Sequence, residues 1–158
     1  MIMSGLNISQ FKRLVVRPAV TQIGLGTDAA VNLLTGTALA ESGLVWLAQI
    51  RGPALGLFQM EPATHDDCWA TFLPGQPALG AALRRVAGQN TPAAGLMVSN
   101  LTYACALARV KYYRAGPPLP AANDAARLSA YHKQHYNTPL GAADAGRNVA
   151  LFQQAINA

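Results

Sequence analysis

Glycine, proline and capping residues divide this chain into pieces of helix length. No piece alternates apolar and polar residues as a half-buried strand does. That punctuation restricts the chain to an all-α fold. Residues 7–23 are periodic at helical spacing around Pro18, whose missing N–H and ring clash bend or restart a helix. Thr27 or Asp28 can cap a helix running to about Ser42, and Gly43 stands where a left-handed C-terminal glycine belongs. Pro62 suits the first turn of a helix reaching about Phe72, and residues 77–86 form a short helix. Thr91 and Pro92 open a long helix to about Arg114, stopped by Gly116-Pro117-Pro118, with Arg109, Lys111 and Arg114 placed where cations favour a helix end. Met97, Leu101, Ala104 and Ala108 share one face of it, and its polar face is thin, which predicts a central position. Two more helices follow, from about Ala122 to Tyr136 and from about Asp144 to Ile156. Residues 44–61, with Gly52, Pro53 and Gly56, read as an irregular, partly apolar loop with room for short strands. The expectation is an α-dominated fold of about seven helices and one irregular loop.

At 158 residues the chain predicts a single domain spanning 1–158, with no repeat and no linker. With 51% apolar and 12% charged residues it has a core to bury and is not disordered. The most apolar stretch, residues 39–50, is too short for a membrane span and contains Glu41, Ser42 and Gln49, so no membrane partner is expected. The first 17 residues lack a positive end followed by a long apolar run, which predicts no secretory signal. Cys68 and Cys105 stand far apart without CxxC spacing, and are read as two reduced, buried thiols. The formal charge of +5 comes from short scattered clusters with no recognition module, so nucleic acid is not expected. An acidic polymer would be drawn by the same field.

Of the seven carboxylates, six lie among polar or turn residues; Glu41 does not. Val31, Leu34, Ala38 and Glu41 follow one another at helical spacing, which places the carboxylate on the buried stripe. It also falls in the last turn, where the helix dipole disfavours negative charge. Desolvation and dipole together favour a carboxyl that holds its proton, as a general acid requires. The plain alternative is a buried glutamate satisfied by structural hydrogen bonds.

Downstream, Glu41-Ser42-Gly43 is followed by Gly56-Leu57-Phe58-Gln59-Met60-Glu61-Pro62-Ala63-Thr64. This pattern resembles the lytic transglycosylases related to goose-type lysozyme, in which a Glu-Ser pair precedes a Gly-Leu-Met-Gln stretch and a Met-Pro-x-Thr helix start. Asn100-Leu101 is similar to the family's Asn-Ile motif, with Ala104 where Gly is usual. Ala130-Tyr131 is similar to the start of its Ala-Tyr-Asn motif, with His132 in place of the Asn; Tyr136-Asn137 is a second candidate. The resemblance covers about residues 28–140. It implies a lysozyme-like fold, Glu41 as catalytic acid, and Ser42, Gly56, Gln59, Asn100 and Tyr131 as substrate-binding residues. Gly56 would let backbone approach the sugar, and Gln59 would offer its amide to the glycan or the acid. The family's tyrosine hydroxyl sits beside the acid, and Tyr131, following Leu128 at helical spacing, is the one expected there.

The activity so implied is cleavage of the β-1,4 bond between N-acetylmuramic acid and N-acetylglucosamine in peptidoglycan. The C6 hydroxyl closes a 1,6-anhydro ring, and one carboxyl with substrate assistance suffices. A hydrolase would add a water-positioning carboxylate, for which Glu61, Asp66 and Asp67 are candidates. No cofactor is expected, and no metal: His65, His132 and His135 lack HExxH-like spacing. Trp46 and Trp69 are expected in the core. The contrasting reading is a structural phage virion protein, in the tail or ejected, that keeps the fold without turnover. Partners are then glycan strands of the wall or other phage structural proteins. The expected location is the virion, acting on the host wall, or the cytoplasm until lysis.

Overall fold

The computed structural model describes residues 5–137 and 142–158. It is all-α; among the described residues there is no β-strand, only two isolated β-bridges. The helical segments are α1 (residues 8–22), α2 (Asp28–Ser42), α3 (residues 62–72), α4 (Pro77–Ala87), α5 (Leu96–Ser99), α6 (Leu101–Ala115), α7 (residues 125–137) and α8 (Ala145–Asn157). None among the described residues is long and apolar enough to cross a membrane.

The boundaries follow from local chemistry. Thr27 accepts a hydrogen bond from the Ala30 amide to open α2, and Gly43 closes it at φ 61°. Pro62 occupies the first turn of α3, and Asp144 caps α8 through the Arg147 amide. Pro18 does not end α1. Instead Lys12–Val16 widens to a π turn just before it, which accommodates a residue that can neither donate nor approach the preceding turn.

The expected single helix over 91–114 is interrupted. Asn100 is extended (φ −110°, ψ 95°), and its side chain accepts from the Tyr103 amide, so it ends α5 and caps α6. An asparagine that finds a backbone donor two or three residues ahead competes with helix continuation, and here the cap prevails. Helix α6 nonetheless takes the central place: Tyr103 through Val110 and Tyr112 are all buried, with α1 and α4 packed against it.

Helix α2 is buried nearly all round, with Thr35, Thr37 and Asn32 inside. Thr37 bonds the Leu33 carbonyl and the Tyr112 hydroxyl, and Asn32 donates to the Ala122 carbonyl. Helix α8 lies across α2 and α7, and Gly36 lets it close: a Cβ there would enter the Phe152 ring. Buried on most of its length, α2 reaches solvent at its C-terminal end, where Glu41 stands.

Candidate active site

Glu41 lines a groove of about 650 Å³ together with Trp46, Gln59, Glu61, Thr64, Lys111 and Tyr136. One wall is the 44–61 loop, a curl closed by bridges of Ala48 to Leu55 and Leu55 to Met60. Gly56 is its hinge: φ is +76°, its amide donates to the Leu47 carbonyl, and a Cβ would run into the Met97 carbonyl. That close approach is to the protein's own backbone, not to the groove, which corrects the expected sugar-facing role. Gln59 does face the groove. Its backbone sits at φ +46°, a left-handed conformation costing an L side chain roughly 1 kcal/mol or more. Its side-chain amide donates to the Gly56 carbonyl.

Ser42 turns away. Its hydroxyl donates to the Ala38 carbonyl and accepts from the Leu44 amide, shaping the exit from α2 where Leu44 takes φ 60°. Asn100 is equally occupied, capping α6 and donating to the Val86 carbonyl. Neither lines the groove.

Tyr131 is not beside the acid. Its hydroxyl donates to the Pro117 carbonyl, and its ring packs on Tyr112 and His135. Tyr136 lines the groove instead, carried by the π turn Lys133–Asn137, with its hydroxyl donating to the Phe58 carbonyl. Burial, then the charge of Glu41, holds the Tyr136 phenol well above its ordinary pKa. Helical rotation explains the difference. At 3.6 residues per turn, a residue four after Leu128 lies about 40° from its direction, and one three after lies about 60° away on the other side. The residue four ahead is His132, and it meets the acid.

His132 Nε2 is 2.8 Å from Glu41 Oε1, with the histidine side chain 1% exposed and the glutamate side chain 15% exposed. His132 is held between the rings of Tyr136 and Phe152. Among the described residues, no hydrogen bond joins Oε2 of Glu41 to the protein. The Glu41 side chain keeps its 15% exposure on the groove that it lines.

Lys111, expected only as a helix-end cation, also reaches the groove. Its ammonium donates to the Tyr136 carbonyl at 2.6 Å and lies 4.0 Å from the centre of the Tyr136 ring. Burial lowers its pKa, and Glu41 and Glu61 act in the opposite direction. The other carboxylates are engaged elsewhere: Asp66 with His65, and Asp67 with Arg114 at 2.6 Å. Only Glu61 of the three remains at the groove.

Trp46 is 52% exposed at the groove rim rather than in the core, while Trp69 donates inward to the Tyr103 hydroxyl. Cys68 and Cys105 are buried thiols, each pushed up by burial. Among the described residues no three His, Cys, Asp or Glu side chains stand together as metal ligands would. No family model, curated protein or solved structure matches the chain.

Proposed function

We propose that this protein cleaves the glycan strands of bacterial peptidoglycan, with Glu41 as general acid and then base. The observation that carries this reading is the setting of Glu41: a largely buried carboxyl with one oxygen tied to His132, 15% exposed to a groove of about 650 Å³. A single acid so placed can protonate a glycosidic oxygen and afterwards take a proton from the attacking hydroxyl. The attacking group is the sugar's own C6 hydroxyl in lytic transglycosylation, or water in hydrolysis. Gln59 supplies an amide to the sugar, and the exposed Trp46 ring offers an apolar face at the rim. The net charge of +5 favours approach to an acidic wall. Digestion of purified peptidoglycan with mass analysis tests this. The lytic reaction leaves 1,6-anhydromuramic ends and survives a chelator. Reducing muramic ends mean hydrolysis and direct attention to Glu61, and absence of any cleavage contradicts the reading.

A second reading has its own support. Ser42, Gly56, Asn100 and Tyr131 each hold the fold together, so the motifs can persist in a phage structural protein without turnover. On either reading the setting we propose is a phage virion or a lysis protein.

A further inference from the structure

We infer that His132 is a positioning residue for the Glu41 acid, holding one carboxyl oxygen so that the proton is delivered from the other. The inference deepens the glycan-cleaving reading and rests on it. Three observations support it. His132 Nε2 lies 2.8 Å from Oε1, while Oε2 has no hydrogen-bond partner among the described residues and the Glu41 side chain lines the groove. The imidazole is 1% exposed and held by two rings, so it cannot swing into the groove to act on substrate itself. Neither tyrosine hydroxyl competes for the carboxyl, since one donates to Pro117 and the other to Phe58.

The proton inventory is closed. In the proposed step the acid proton starts on Glu41 Oε2, and His132, in its Nε2–H tautomer, donates to Oε1. The proton passes from Oε2 to the glycosidic oxygen as the bond from that oxygen to the sugar carbon breaks. The carboxylate left behind accepts the same Nε2–H, now as a charge-assisted hydrogen bond. An interaction that strengthens as charge develops lowers the barrier rather than the binding energy. In the second half, Oε2 recovers a proton from the attacking hydroxyl, and His132 ends as it began.

The test exploits which nitrogen is used. The amide nitrogen of glutamine reaches where imidazole Nε2 does, and that of asparagine falls short, near Nδ1. His132→Gln and His132→Asn are therefore both polar and both smaller than a ring, but only the first restores the donor. With folding matched by circular dichroism, the expected result is kcat near wild type for His132→Gln. For His132→Asn the expected result is a fall of about 10-fold to 100-fold with KM unchanged. Equal kcat values for the two variants, or a change in KM alone, overturn the positioning role while leaving the glycan-cleaving reading intact. If His132→Asn does not fold, His132→Gln decides alone: a kcat below a tenth of wild type overturns the inference. If wild-type protein cleaves no peptidoglycan, the underlying reading fails and this inference with it.

Discussion

Glu41 and His132 stand 91 residues apart in the chain and meet at 2.8 Å, one at the end of α2 and the other inside α7. The contact joins the two helices that α8 covers, so the same packing that closes the core also positions the Glu41 carboxyl. Removing either partner leaves a buried polar group without its hydrogen bond, which costs about 1–3 kcal/mol. The site and the fold are thus coupled at this point.

Gly36 lies within that packing, against the Phe152 ring. Alanine in a helix is ordinarily better than glycine by about 1 kcal/mol. Here the added Cβ enters the Phe152 ring, and overpacking costs about 1–3 kcal/mol. Gly36→Ala is expected to lower the thermal midpoint; an unchanged or higher midpoint contradicts the close approach of α8 to α2.

Asn100 separates a cap from a ligand. Asn100→Ala removes the bond from the Tyr103 amide and is expected to cost about 1 kcal/mol in denaturant unfolding. Activity per folded molecule should be unchanged. A severalfold rise in KM at full stability would restore Asn100 to the substrate.

Alkaline pH probes the buried phenols. Burial pushes Tyr103 up to about 12 from its ordinary 10.0. A pKa raised by folding adds stability that is complete below the unfolded value and is lost as pH climbs through the folded one. Stability should therefore hold to about pH 10 and decline between about 10 and 12 on Tyr103's account. Tyr112 and Tyr136, also raised by burial, act in the same direction. Tyr103→Phe should lower the baseline, because His65 and Trp69 lose a shared partner, and make the alkaline decline shallower. An equally steep decline in the variant contradicts this assignment.

Much of the helical framework could be read from single residues because caps are local. Thr27, Gly43, Pro62 and Asp144 each act within a few residues of where they stand. The placement of Glu41 on a buried stripe rests on the same short-range geometry. What escaped the sequence depends on longer range. Whether Asn100 continues a helix or caps one is decided by a small competition between two backbone arrangements. Tyr131 and His132 flank the inward direction of α7 almost equally, and only the position of α2 selects the histidine. Lys111 could be recognised as a groove residue only after α7 was laid across it. Trp46 faces outward because the bridges of the 44–61 loop turn it so, a register that composition does not encode.

Glu41→Gln tests the central claim most directly. Glutamine keeps the size of the side chain and can still meet His132 through its amide oxygen, but it has no acid proton to give. Release of soluble fragments from purified peptidoglycan, compared between wild type and this variant at matched folding, is the measurement. The account predicts that wild type releases fragments and that Glu41→Gln does so at least about 100-fold more slowly. Equal release by the two proteins would contradict it.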